Sequence, residues 1–462
     1  MKRILTNTIL LSTLFFLKNS IISHAENFLT KDYLINLPFS HNLGGSISRP
    51  VSSPEALTFI KPSASIIDKN DFLLGNKLFN FQWLEHENIR INLDGLGPIF
   101  NRRACSDCHI RNGRGIHSKK LSNRTFVIKI IEPRKTSKNK KLNTFFGQQI
   151  QDRATNDSKP EAKVSIKWIE TKYKYADGET YFLRKPKLII EEISPKKISP
   201  NTIFSIRMPP PLLGMGLINR ISDEFLLSIS DNYDSDNNGI SGKANIINNI
   251  KNNKKSIGRF GWKASIESLE IQNAIASFED MGVTNPILRD KNCYNDYILC
   301  QSSNTNPEMN EIYFNKINRY LKLLAVPEQR NRSSKLVKNG KIVFDQLGCN
   351  LCHLPSIVIK NGEVREKIHP FSDFLLHDMG KELEDKSQFN IPEKSEWRTS
   401  PLWGIGLTKK ISGSEFYLHD GRARNLEEAI LWHGGEAKKS AEGFRSLDKI
   451  QRIQLIKFLK SL

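Results

Sequence analysis

Cys105-Ser106-Asp107-Cys108-His109 and Cys349-Asn350-Leu351-Cys352-His353 are the two stretches on which the reading of this chain turns. In C-x-x-C-H the two thiols can add to the two vinyl groups of a haem while the next residue presents imidazole to the iron. The pattern is specific. A zinc site needs further thiols or histidines at ligand spacing, and a thioredoxin-like dithiol sits in a strand-helix-strand setting; neither surrounds these motifs. The sequence therefore implies two covalently bound haem c groups, attached through Cys105, Cys108, Cys349 and Cys352, with His109 and His353 as proximal iron ligands.

Working outward, the motifs sit in matching contexts. Upstream, Gly75 to Phe79 (GNKLF) matches Gly340 to Phe344 (GKIVF), and downstream Arg207 to Leu217 (RMPPPLLGMGL) matches Arg398 to Leu407 (RTSPLWGIGL). Further on, Gly258-Arg259 with Leu269-Glu270 and Ala274-Ile275 matches Gly421-Arg422 with Leu426-Glu427 and Ala429-Ile430. Three matches in one order predict internal duplication. The expected organisation is a signal segment at 1–25, a cytochrome c-like haem domain at 26–330 and a second one at 331–462. The first is longer, and Lys163 to Glu170 and Thr180 to Lys185 alternate polar with apolar residues around Asp177-Gly178, which predicts a β-rich insertion around 125–200. Elsewhere the apolar spacing is helical, so the fold is expected to be mainly α.

The chain has 462 residues, 38% of them hydrophobic, enough for two or three domains that each bury a core. Met1-Lys2-Arg3, an apolar run from Ile4 to Leu17 and Ser23-His24-Ala25 read as a secretory signal cut after Ala25, with the mature protein exported to the periplasm. No later run is long and apolar enough to span a membrane. Outside the haem motifs stand Cys293 and Cys300, which export allows to form a disulfide closing a short loop; two buried thiols are the other reading. The formal net charge of +20 suits an acidic redox donor, such as a small cytochrome, or anionic lipid, and export argues against nucleic acid. The densest basic run, Arg134 to Lys141, reads as a solvated loop.

The group opposite each proximal histidine decides between electron transfer and chemistry at an open iron. For the second haem the candidate is His433, one helical turn past Ala429; for the first it is Met281, two turns past Ala274. A capped histidine and a packed methionine are the plainer readings, and Met208, Met215 and Met379 are rivals. Asp234, Asp236 and Asn238, with Gly239 at the sixth position, follow the start of a calcium loop, but Asn245 stands where that motif has its bidentate Glu. An Asx-rich turn is the alternative. Trp403 and Trp432 lie beside the motifs, as relay or as core.

These residues resemble the family of di-haem oxidoreductases or peroxidases, sometimes called thiol oxidoreductases, related to bacterial di-haem cytochrome c peroxidases. The resemblance is carried by Gly95 to Asn101 (GLGPIFN), Gly258 to Lys263 (GRFGWK), Asp280 to Thr284 (DMGVT), Leu376 to Gly380 (LHDMG), Tyr417 to Arg422 (YLHDGR) and Trp432 to Ala437 (WHGGEA). It implies that His433 fills the second axial position of the C-terminal haem, where the peroxidases usually have Met, and that His377 and Met379 lie on a loop that does not ligate. The chain departs from the peroxidases at Arg207-Met208-Pro209, where their displaceable histidine is absent.

The resemblance implies an exported oxidoreductase that takes electrons from a small redox donor and reduces peroxide. The other expectations are a pure electron carrier with both irons six-coordinate and an accessory redox subunit in thiol oxidation or iron uptake. Glu270 and Glu279 are the nearest candidates for an acid-base group at the first haem, and neither is singled out by its spacing.

Overall fold

A computed structural model describes residues 31–85, 93–118, 124–131, 149–156, 158–192, 202–289, 306–361, 364–384 and 395–462. The segment 1–25, the pair Cys293 and Cys300 and the basic run 134–141 lie outside the described residues. Before residue 331 the elements that position the sites are α1 (Ile66–Asn80), α2 (Cys105–Cys108), β1 (Val127–Ile131), β2 (Ala162–Lys174), β3 (Thr180–Glu192), β4 (Ile203–Arg207), α3 (Leu269–Met281) and α4 (Glu311–Lys322). After it come α5 (Lys335–Gln346), β5 (Leu376–Asp378), β6 (Glu396–Arg398), α6 (Leu426–Leu431), α7 (Lys438–Ser446) and α8 (Lys449–Ser461).

Short polar side chains start the helices. Ser65 accepts the Asp68 amide at 3.0 Å while Asp68 takes the Ser65 amide at 3.3 Å, so α1 opens on a reciprocal cap. Ser268, Asn310 and Asp448 cap α3, α4 and α8 in the same sense, and α3 ends on Gly282 at φ +67°. The long helices then pack as two pairs, each through a glycine. A Cβ on Gly75 of α1 would stand 2.3 Å from the Lys316 carbonyl of α4, and one on Gly340 of α5 would stand 2.0 Å from the Gln454 carbonyl of α8. Hydrogen at Cα is what lets the backbones meet. Tyr320 and Phe458, both almost fully buried, close the two contacts.

The fold is not mainly α. Helix takes 33% and strand 20% of the described residues, and the described strands form seven two-stranded ribbons scattered along them, which overturns the expectation of two mainly helical cytochrome c-like domains related by duplication. Helical spacing dominates the sequence because much of the strand lacks a legible period. Ile99–Phe100 against Arg153–Ala154 is too short to alternate, and the outer half of β2 is exposed on both faces.

The longest ribbon pairs β2 with β3 over thirteen residue pairs, Ala162 with Glu192 through Lys174 with Thr180. It turns at Tyr175–Glu179, around the Asp177-Gly178 pair, with Gly178 at φ +86°. Its root, Ala162 and Val164, joins Phe126, Ile128, Ile130, Ile206 and Met208 in a small core beneath the β1–β4 ribbon. A second, larger core is continuous across residue 331, running from Trp83 and Tyr320 to Trp403 and Phe458.

Candidate functional site

Asp107 organises the first motif. Its carboxylate accepts the amides of Arg103 at 3.3 Å and Ala104 at 3.2 Å, fixing the entry to α2, and Gln82 holds its other oxygen at 2.8 Å. Cys105, Cys108 and His109 then face a cavity of about 960 Å³ whose opposite walls come from the Pro209–Leu213 segment and from α3. His109 donates through Nδ1 to the Pro210 carbonyl at 2.9 Å, which leaves Nε2 as the nitrogen able to bind a metal. Burial brings its pKa down to about 4, so the imidazole is neutral, the form that ligates.

Charge in this cavity is one-sided. Arg114 is buried, donates to the Leu418 carbonyl at 3.3 Å and lies 5.5 Å from the ring centre of Trp262, yet it pairs with no carboxylate among the described residues. Burial lowers its pKa to about 10, and it stays charged. On the α3 side Gln149 donates to Asp280 at 2.7 Å, and its own Oε1 is buried without a hydrogen-bond partner among the described residues. Burial pushes the Asp280 carboxyl above its ordinary range. Glu279 pairs with Lys129 on the same wall. Glu270, in contrast, pairs with Lys251 at 2.7 Å in a largely exposed position.

The second motif follows α5. Gly348 at φ +72° turns the chain into Cys349–Leu351, and His353 donates through Nδ1 to the Phe371 carbonyl at 2.9 Å, the arrangement found at His109. His433, just past α6, spends its Nδ1 on the Ala429 carbonyl at 2.7 Å. Burial lowers the His433 pKa and brings that of His353 down to about 4. Both imidazoles keep Nε2 for a metal. Glycines seat this segment. A Cβ on Gly380 would lie 2.7 Å from the Gly435 amide, so the loop after β5 abuts the backbone just beyond His433.

Beside Cys352 the fold assembles a group that no spacing in the sequence announces. His377 donates through Nε2 to Asp373 at 2.9 Å and through Nδ1 to Glu436 at 2.6 Å, with Cys352 Sγ 3.6 Å from Nδ1. Burial opposes its charge, and Cys352 and the carboxylate of Asp373 outweigh burial, so His377 is raised well above its ordinary pKa. Trp397 stacks on His419 with centroids 3.7 Å apart, and Lys263 Nζ lies 3.9 Å from the ring centre of Trp397.

Other expected residues are placed differently. Met281 is 2% exposed in the core, and the cavity wall carries Met208, Met215 and Met309 instead. Met379 packs against the core as a partly buried side chain. Asp234 spends its carboxylate on the Gly239 amide at 3.1 Å, Asp236 on the Asn238 amide at 3.1 Å and Asn238 on the Ile240 amide at 2.8 Å. These are Asx turns, with the oxygens turned on local backbone, and no group of three or more metal-ligating side chains occurs among the described residues. Trp403 donates to the His369 carbonyl at 2.8 Å as a core residue, and Trp432 lies under Arg422 at 4.7 Å.

A family model described as "Di-haem oxidoreductase, putative peroxidase" matches residues 146–462. The chain belongs to this family. The matched span holds Cys349, Cys352, His353, Met281 and His433, while the Cys105–His109 motif precedes it. Comparison with curated proteins and with solved structures found no match. A di-haem oxidoreductase needs two haem sites, and the residues here fit that need: two histidines with Nδ1 occupied and Nε2 spare, a cavity of about 960 Å³ beside the first of them, and in its wall a buried arginine that pairs with no carboxylate among the described residues and suits a propionate. Burial raises the thiols of Cys105, Cys108 and Cys349 to about 12, so they are neutral. No helix among the described residues is long and apolar enough to cross a membrane.

Proposed function

We propose that this di-haem oxidoreductase is a periplasmic c-type protein with haem bound through Cys105 and Cys108 and through Cys349 and Cys352, and that it takes electrons from a small redox donor to reduce peroxide or a related oxidant. The observation that carries this reading is the inequality of the two sites. His353 and His433 each keep an Nε2 that would be available to one iron, whereas the cavity beside His109 sets Gln149 Oε1, without a hydrogen-bond partner among the described residues, in its wall. Unlike axial sets give unlike potentials, which separates an electron-receiving site from a reacting one.

Bound haem supplies the one-electron chemistry at each iron. The protein's own part is positional. Arg114 would hold a propionate and Gln149 Oε1 would accept from the O–H of the oxidant, with Gln149 Nε2 kept in place by Asp280 at 2.7 Å. The low dielectric of the cavity strengthens each contact. Gln149→Leu is therefore expected to slow reoxidation of the reduced protein by hydrogen peroxide on the order of a hundredfold, with haem content unchanged. Reduced wild-type protein that passes electrons to an acceptor but ignores peroxide would overturn the assignment. Met208, Met215 and Met309 on the cavity wall favour the second reading, an electron carrier in which a thioether closes the first iron.

A further inference from the structure

The β2–β3 ribbon reaches far beyond the core it is rooted in. Thirteen residues per strand at roughly 3.3 Å each give a length of about 40 Å. Its root, Ala162 and Val164, is buried in the small core, and further out Leu183, Tyr181 and Tyr175 are buried in the larger one. A two-stranded ribbon standing in water is marginal by itself, so the outer half takes its order from whatever it touches.

It touches the segment that carries His433. Arg424 is the clasp. Its guanidinium pairs with Glu170 of β2, donates to the Phe182 carbonyl of β3 at 3.3 Å and donates to Glu428 in the first turn of α6 at 2.6 Å, while its amide donates to the other Glu428 oxygen at 2.9 Å. One step further along the ribbon, Arg184 donates to the Arg422 carbonyl at 2.9 Å, and Lys185 Nζ lies 5.9 Å from the ring centre of Trp432, the residue before His433. The tip is held separately. Arg452 of α8 lies 3.9 Å from the ring centre of Tyr175 and donates to Asp177 at 2.9 Å and Glu179 at 2.6 Å.

α6 has six residues, too few to be stable without tertiary contacts, and its Ala429 carbonyl orients the His433 ring. Whatever sets α6 therefore sets Nε2 of His433. We propose that the β2–β3 ribbon is a strap that holds α6 in register, and that Arg424 is the positioning residue through which it fixes His433 as an axial ligand. This rests on the reading of His433 given above. An exposed ion pair alone contributes little, but Arg424 joins two strands and a helix through a planar fork that lysine cannot reproduce.

The test uses the purified holoprotein, with cyanide as probe and loss of the His-ligated low-spin ferric signal as readout. Three variants are compared with wild type: Arg424→Gln, Arg424→Lys, and a ribbon cut back by replacing residues 171–183 with an Asn-Gly turn. The expected result is a rise in the cyanide rate at the second haem of about ten-fold in Arg424→Gln and in the shortened ribbon, with Arg424→Lys in between and haem content unchanged. His433→Ala serves as the reference. If His433→Ala leaves the signal intact, the ligand reading fails and takes the strap with it. If His433→Ala abolishes the signal while Arg424→Gln matches wild type, the strap alone is wrong, and Arg424→Gln decides the matter even if the shortened chain does not fold.

Discussion

At the scale of single residues, the account depends on which nitrogen of each histidine is spent. Pro210, Phe371 and Ala429 each take an Nδ1–H, and none of the three carbonyls is marked by a motif. C-x-x-C-H and His433 could be named as candidates from the sequence because their spacing is local. The Asp373–His377–Glu436 group, Arg114 and Gln149 were not, since each is brought into place by a separate segment. Asp420 offers a test of the electrostatics at this scale. Burial raises its pKa, but Arg422 at 2.8 Å and His419 bring it down to about 2. A carboxyl depressed on folding stabilises above its unfolded value and loses that contribution as pH falls from about 4 towards 2. Asp420→Asn is expected to be less stable at pH 7 by on the order of 2 kcal/mol and to show a shallower fall in melting temperature across that window. An unchanged acid profile in the variant would show that the Asp420–Arg422 pair is not formed.

At the scale of elements, close backbone packing is what the helix pairs share. Gly340→Ala would place a methyl 2.0 Å from the Gln454 carbonyl, so α5 and α8 must separate. The expected cost is roughly 1–3 kcal/mol, seen as a melting temperature several degrees lower, whereas Ala at Gly413, where a Cβ meets nothing within 4 Å, meets only the strain of φ +76°. Equal effects of the two substitutions would mean that the contact does not govern stability. The matched pair Gly75 and Gly340 was visible in the sequence, and so was the turn at Asp177-Gly178. The share of strand was not. Short ribbons such as Leu376–Asp378 against Glu396–Arg398 are set by long-range pairing, and local spacing carries no trace of it.

At the scale of the whole molecule, the two sites are joined rather than merely adjacent. Arg398, Pro401 and Trp403, from beyond residue 331, help to line the cavity beside His109, and the β2–β3 ribbon crosses in the opposite direction to α6 and α8. Such interlocking suits a protein in which electrons entering at one haem are used at the other, and the net charge of +20 suits an acidic donor. The most direct measurement is EPR of the oxidised protein bearing two covalently attached haems, recorded before and after cyanide. The account requires a low-spin centre with two imidazole ligands that is lost in His433→Ala, together with a high-spin ferric signal that cyanide removes. Two low-spin centres indifferent to cyanide, or a single haem per chain, would contradict it.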